Sequence, residues 1–369
     1  MDKLKIIVSG GGTGGHIFPA IAIANELKHQ LKDEVEILFV GALGRMEMER
    51  VPQAGYEIVG LPVQGFIRKF TFKNFVVLWN LYKSLLKAKN LLKSFQADAV
   101  VGVGGYASGP LARVAAKQGV PIVLQEQNSY AGLTNKLLAK LATKICVAYE
   151  GMERFFPAEK IILTGNPVRQ NIVESQIRPD AAKDFFALDT TRKTILSIGG
   201  SLGARTINQS IEAALPKIAQ SEVQLIWQTG KHYKTRAQEA VKAQGAKNVY
   251  VTDFISRMDM AYTAADLVIS RAGASSISEL CLIGKACILV PSPNVAEDHQ
   301  TKNAQALEKK NAALMVTDAE AQTHLMDEAM RLVEDREALH TLETNIKAMA
   351  LPNSAQMIAE EVIKVARRS

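Results

Sequence analysis

The sequence predicts an α/β chain of two similar domains, each a parallel sheet with helices on both faces. Short β-branched runs alternate with helical patterns, and strand–helix alternation builds parallel sheets. The pattern also restarts. Leu4–Gly15 reads as strand, glycine loop, helix start, and so does Thr194–Arg205, "TILSIGGSLGAR". Finally, 369 residues suit two domains of roughly 100–200 residues each.

Taken in order, the predicted strands of the first half are Lys5–Val8, Val35–Val40, Ala99–Val103, Ile122–Leu124, Lys144–Val147 and Ile161–Thr164. Those of the second are Thr194–Ile198, Gln224–Gln228, Val249–Val251, Leu267–Ser270 and Cys287–Val290. Between them Pro19–Gln30, Gly109–Gln118, Thr206–Ala219 and Ala274–Leu282 read as helices. The break at Gly165-Asn166-Pro167 sets the expected boundary, giving domains 1–165 and 166–353. A last helix, 354–369, follows Pro352 and is a candidate to cross back to the first domain.

Composition bounds the function. With 47% hydrophobic residues, a sizeable core can be buried. Three cysteines, Cys146, Cys281 and Cys287, are too few and odd in number for a disulfide framework. They read as small core hydrophobes in a reducing compartment. Met1-Asp2-Lys3-Leu4 runs straight into a strand and is not expected to be a signal peptide. No apolar run approaches the roughly 20 residues of a spanning helix. A cytoplasmic chain, soluble or peripheral, is expected. The net charge of +7 suits an anionic ligand, a membrane surface or nucleic acid, and does not choose among them.

Three glycine loops follow predicted strands. Gly10, Gly12 and Gly15 satisfy the G-x-G-x-x-G spacing. A dinucleotide site would also need an acid ending the second strand, to hold the ribose. That strand ends Phe39-Val40-Gly41, without one. No Lys-Ser/Thr pair follows "GGTGGH", so it is not a P-loop either. What survives is general: backbone amides at a helix N-terminus suit an oxyanion. Gly199-Gly200-Ser201-Leu202-Gly203 holds the equivalent place in the second domain. "GVGGYASGP", Gly102–Pro110, is the third loop. Any one of them could be a simple tight turn. Three at corresponding strand ends point to the sheet edge where α/β proteins bind ligands.

"GGGTGGHIFPA", "GVGGYASGP", "QEQNSYAGLTNK", "GNPVR", "GGSLGAR", "SRAGASSISEL" and "EDHQTKNA" occur in this order over residues 10–304. Together they resemble the MurG family of cell-wall N-acetylglucosaminyltransferases, and the likeness extends over essentially the whole chain. The resemblance implies a GT-B glycosyltransferase fold, with two facing Rossmann-like domains and an interdomain cleft. It implies inverting transfer of GlcNAc from UDP-GlcNAc to the MurNAc C4 hydroxyl of undecaprenyl-diphospho-MurNAc-pentapeptide (lipid I), giving lipid II.

The resemblance also implies a site. Ala274, Ser275, Ser276, Ile277, Ser278 and Glu279 form the helix start that meets UDP, with Glu279 on the ribose hydroxyls. Ser201 meets the diphosphate and Ile255 lies by the uracil, while Asn128, Arg169 and Gln300 complete the donor contacts. Thr13, Gly14 and Gly15 face the transferred sugar and the acceptor diphosphate, and His16 is the candidate base. Gly104, Gly105, Tyr106 and Ser108 are the expected acceptor-binding residues. No cofactor and no metal are expected. The chain departs from the family pattern at Gln125, Leu202, Ser256-Arg257 and His299, so none of these is assigned chemistry.

From Ile58 to Gln96 there is no Asp or Glu, while Phe72, Phe75, Trp79 and Tyr82 fall at helical spacing beside several lysines. Cations flanking an aromatic stripe describe a helix lying in an anionic membrane surface, here Phe66–Lys89. The plain alternative is a stripe facing the core. Nucleic acid is not expected, since no RNA-binding signature appears. The expected location is therefore the cytoplasmic face of the inner membrane, with cell-wall and division proteins as candidate partners. The competing functions are a UDP-GlcNAc 2-epimerase, another GT-B lipid glycosyltransferase, or a nucleotide-sugar or dinucleotide binder without transfer.

Overall fold

The computed structural model describes residues 3–64, 73–168, 172, 176–200 and 202–368, except the side chains of 73–75 and 296. The chain divides into two compact units, Met1–Val168 with Leu351–Ser369, and Arg169–Ala350.

The first unit contains β1 (Leu4–Gly10), α1 (Gly14–Leu31), β2 (Val35–Ala42), α2 (Glu47–Gln53), β3 (Glu57–Leu61), α3 (Lys73–Phe95), β4 (Ala99–Gly104), α4 (Ser108–Lys117), β5 (Ile122–Glu126), α5 (Leu133–Leu138), β6 (Lys144–Val147) and β7 (Ile161–Leu163). Its strands form one sheet in the order β3-β2-β1-β4-β5-β6-β7, and the recorded pairs are parallel, with Ile6 opposite both Ile37 and Ala99. Side chains alternate between the faces, as pleating requires. Ile7, Leu38, Val100 and Leu124 enter one core; Ile6, Val8, Phe39 and Val101 enter the other. That second core is completed by Ile358, Ala359 and Val362 of the last helix, which packs on α1 and on β4 and β5.

The second unit contains α6 (Pro179–Phe185), β8 (Thr194–Ile198), α7 (Arg205–Ala219), β9 (Gln224–Gln228), α8 (Lys234–Gln244), β10 (Val249–Thr252), α9 (Met258–Ala264), β11 (Leu267–Ser270), α10 (Ala274–Ile283), β12 (Cys287–Leu289), α11 (His299–Glu308), β13 (Leu314–Met315), α12 (Ala321–Glu334) and α13 (Arg336–Ala348). The last helix, α14 (Ser354–Ala366), returns to the first unit. The second sheet runs β10-β9-β8-β11-β12-β13. Its core is built around Ile195, Leu225, Trp227 and Ile269. Trp227 is buried with its indole N–H donated to Asn208 Oδ1 at 2.9 Å, so the polar atom is satisfied.

In each sheet the chain leaves a central strand outward, then crosses back to the other side. The reversal lies between β1 and β4 in the first unit and between β8 and β11 in the second. Open α/β sheets bind ligands beyond the carboxyl ends of the strands at such reversals. The glycine loops follow β1, β4 and β8, three of these four strands.

Two edge strands, β3 and β13, were not expected from the sequence. Helix α1 also begins earlier than expected, at Gly14, and carries Pro19 inside it. The three cysteines are buried and unpaired. Burial pushes the thiols of Cys146 and Cys281 up to about 12, so they behave as the core hydrophobes anticipated.

Candidate active site

In the first unit, the loops after β1 and β4 pack backbone to backbone. A Cβ on Gly105 would lie 2.5 Å from Gly11 O, and one on Gly104 would lie 2.8 Å from His16 Nε2. Gly104 and Gly105 also have positive φ, +104° and +90° respectively. A side chain on Gly10 would meet Val103 Cβ at 3.0 Å. Gly10, Gly104 and Gly105 thus let two loops close on each other and on an imidazole. Ser108 likewise faces inward: its buried hydroxyl lies 2.9 Å from Gly104 O and 3.0 Å from Ser9 O. Tyr106 is exposed.

Thr13 is the N-cap of α1 by backbone geometry, and no side chain caps the helix. No acid occupies its first turn, so Gly14 and Gly15 open a helix N-terminus of the kind that attracts anions. His16 is half-buried, with Nδ1 3.1 Å from Gly11 O and 3.5 Å from Thr13 Oγ1. A carbonyl oxygen can only accept, so Nδ1 carries the proton toward Gly11 and the lone pair falls on Nε2.

One residue that holds this loop, Glu47 at the start of α2, went unread in the sequence. Glu47 accepts Gly12 N–H at 2.9 Å and Ala42 N–H at 3.0 Å. The amide of Gly12 is therefore held by protein and is not available to a phosphate. Beyond β5, Asn128 donates its backbone N–H to Glu126 Oε1 at 3.1 Å. Glu126 also accepts from Gly132 N and Asn135 Nδ2, and Gln125 is buried.

In the second unit, the loops after β8, β9, β10 and β11 line one sheet edge. Helix α10 starts at Ala274 with Gly273 as its N-cap, no capping side chain and no acid in the first turn. Ser275 and Ser276 are half-buried at this open end; Ala274 and Ile277 are buried, and Ser278 Oγ donates to Ala274 O at 2.9 Å. Glu279 is 5% exposed and accepts the Tyr262 hydroxyl at 3.0 Å. It is a buried, oriented carboxylate, not a solvated helix glutamate.

Gln228 at the end of β9 ties the loop after β8 to Ile255, one of the expected contacts. Its Nε2 donates to Gly200 O at 3.0 Å, and its Oε1 accepts Ile255 N–H at 3.3 Å. The loop after β8 closes on the turn after β9: a Cβ on Gly203 would overlap Thr229 O. Gln300 spends its Oε1 on Ser292 N–H at 2.9 Å. Arg271 holds the β11 edge, donating to Val290 O and Pro291 O at 3.1 Å and to Asp318 at 2.5 Å. Arg169 and Ser201 lie outside the described residues.

So does the stretch from Phe66 to Phe72, with the side chain of Phe75. On α3, Trp79 is 57% and Tyr82 53% exposed, stacked at 5.8 Å between centroids, with Lys83 Nζ 5.5 Å from the Trp79 ring. Val76, Leu78 and Leu86 are exposed as well. The opposite face, Val77, Ser84, Ala88 and Leu92, is buried. Trp79 and Tyr82 do not face the core. No helix among the described residues is long and apolar enough to cross a membrane.

Two family models match the chain, the glycosyltransferase family 28 N-terminal domain over residues 6–147 and its C-terminal domain over residues 194–362. The chain belongs to glycosyltransferase family 28. Among its relatives, a protein of Parabacteroides distasonis is 59% identical over 99% of both chains. One of Porphyromonas gingivalis is 54% identical over 98% of this chain and 96% of that one. Both are named UDP-N-acetylglucosamine–N-acetylmuramyl-(pentapeptide) pyrophosphoryl-undecaprenol N-acetylglucosamine transferase. The crystal structure of Acinetobacter baumannii MurG matches with a TM-score of 0.81 and 28% identity, covering 98% of this chain and 99% of that one. A UDP-GlcNAc 2-epimerase from Neisseria meningitidis, bound to UDP-GlcNAc, matches at 0.66 with 15% identity over 98% of this chain and all of that one, which is a likeness of fold. The family 28 chain has the GT-B class of fold: two Rossmann-like units of parallel sheet.

Proposed function

We infer that this chain transfers GlcNAc from UDP-GlcNAc to the MurNAc C4 hydroxyl of undecaprenyl-diphospho-MurNAc-pentapeptide, converting lipid I to lipid II with inversion. The observation that carries this is the 59% identity, over nearly the whole length of both chains, to a relative named for that transfer. The epimerase alternative has only a likeness of fold behind it.

The site residues have these roles in the proposal. In-line attack on an α-linked donor gives a β product in one step, so the chemistry needs a base and a stabilised leaving group. His16 takes the proton of the acceptor hydroxyl on Nε2. Thr13, Gly14 and Gly15 meet the sugar and acceptor diphosphate at the open end of α1, with Gly104, Gly105, Tyr106 and Ser108 behind them. Because Ser108 is buried, its part is to shape the loop. In the second unit, Ala274, Ser275, Ser276, Ile277 and Ser278 offer UDP the uncapped end of α10, whose dipole favours the charge developing on the leaving diphosphate. Glu279, prepositioned by Tyr262, accepts the ribose hydroxyls. Ile255 packs by the uracil, and Asn128, Arg169, Ser201 and Gln300 complete the donor contacts.

The acceptor's lipid implies a surface for α3. The exposed Trp79–Tyr82 stack with Lys83, Lys89 and Lys93 supports peripheral association with an anionic membrane, at the cytoplasmic face of the inner membrane. Cell-wall growth, and through it cell shape and division, are the processes such an enzyme serves. The test is a two-substrate assay. UDP should be released only when lipid I accompanies UDP-GlcNAc, and UDP-ManNAc should not form. Epimer formation from UDP-GlcNAc alone would replace the transferase reading, and absence of turnover with both substrates would leave a binding protein.

A further inference from the structure

Glu47 opens α2, 31 residues beyond His16, and is 1% exposed. A carboxylate so buried must have its oxygens satisfied. Oε1 accepts Ala42 N–H and Oε2 accepts Gly12 N–H. Two glycines make room for it. A Cβ on Gly11 would overlap the carboxylate, and one on Gly41 would lie 2.5 Å from Glu47 Cγ.

The bond to Gly12 N–H has a geometric consequence. That N–H and the Gly11 carbonyl belong to one planar trans peptide, in which they point in opposite directions. With the N–H turned to Glu47, the carbonyl is turned away from it, and His16 Nδ1 lies 3.1 Å from that oxygen. A single peptide unit thus links carboxylate to imidazole: Oε2 accepts from Gly12 N–H, and Gly11 O accepts from Nδ1–H. Hydrogen bonds in such a chain polarise one another, so the carboxylate makes Gly11 O the better acceptor.

We propose that Glu47 is a positioning residue for His16: acting through the Gly11–Gly12 peptide, it fixes the imidazole as the Nδ1–H tautomer with its lone pair on Nε2. The proposal rests on the reading of His16 as the base, and it gives that base the orienting partner that metal-bound and catalytic histidines ordinarily have. Nothing in the residues between them marks the pair.

Glu47→Gln keeps the shape but sets an amide NH₂ against one of two backbone donors. Loss of an orienting partner typically lowers activity about 10–100-fold. The variant should lose turnover by that order while KM for UDP-GlcNAc, governed mainly by residues of the other unit, stays within about twofold of the parent. In a His16→Asn background the same substitution should lower turnover no further. The ring nitrogen resonances of ¹⁵N-labelled protein should show His16 as Nδ1–H in the parent and a tautomer mixture in Glu47→Gln. An Nε2–H ring in the parent overturns the proposal without any variant. So does unchanged turnover with unchanged resonances in Glu47→Gln, or a loss that is fully additive with His16→Asn. Parental turnover in His16→Asn alone would instead remove the base role, and the ring resonances would still decide whether Glu47 sets the tautomer.

Discussion

The loops after β1 and β8 are close in sequence, "GGGTGG" against "GGSLG", and they occupy the same place in two similar sheets. Their glycines answer to different neighbours. In the first unit they admit a buried carboxylate and a second glycine loop, and the result is a held imidazole. In the second, Gly203 and Gly230 close the loop after β8 onto the turn after β9, with Gln228 tying in Ile255. Two helix starts there have neither a capping side chain nor an acid in the first turn: that of α7, directly after the loop, and that of α10. Glycine-rich loops of one pattern therefore make room for a carboxylate and an imidazole in one unit and for a neighbouring turn in the other.

The sharpest way to break this comparison is to remove chemistry from the first edge only. His16→Asn keeps a hydrogen-bonding group but cannot act as a base near neutral pH. Turnover should fall about 10²–10⁴-fold, with UDP-GlcNAc binding nearly intact. Steady-state kinetics with lipid I decide it, and near-parental turnover would leave both edges as binding surfaces. A second asymmetry is structural: α14 seals the core of the first unit. Ile358→Ala leaves a cavity under α1 and should destabilise the protein by about 2–5 kcal/mol, read by denaturant melts. A loss well below that would mean the sheet holds without its returning helix.

The second edge is probed by Glu279→Ala, which should weaken UDP binding by about 1.5–3 kcal/mol through loss of a charged acceptor. Tyr262→Phe removes only the supporting hydroxyl and should cost about 0.5–1.5 kcal/mol. Calorimetric titration with UDP measures both; unchanged affinity in a folded Glu279→Ala protein excludes it from the site. The smallest effect concerns α3. Trp79→Ser with Tyr82→Ser should reduce sedimentation with anionic vesicles without altering turnover on a water-soluble acceptor, since each remaining Lys still contributes about 1 kcal/mol. Parental sedimentation would separate the exposed stripe from membrane binding.

Much of the fold was readable because the central parallel strands are largely apolar. "IIV", "TILSI" and "LVIS" are buried on both faces, and a largely β-branched run admits few other readings. Two of the four edge strands, β3 and β13, escaped notice for the matching reason. Glu57–Leu61 carries a charge and a glycine, and Leu314–Met315 is two residues long. Of the residues in the proposed site, those carried by motifs could be named from the sequence, while Glu47, Tyr262 and Gln228 could not. Each acts on atoms 17 to 35 residues away, through hydrogen bonds that no local periodicity records.

By itself, the sequence determined that there are two α/β units, that glycine loops end their central strands, and that an aromatic, basic helix lies in the first. Those properties follow from local pattern: side-chain period, backbone freedom and charge. Tertiary structure decided which amides remain open and which are held. Gly12 N–H is committed to Glu47, whereas no side chain caps α10. It decided too that α3 buries Val77, Ala88 and Leu92 and turns Trp79 and Tyr82 outward. Such choices depend on which distant segment the sheet order brings alongside, and β4 becomes a neighbour of β1 only when the chain crosses back to the other side of the sheet.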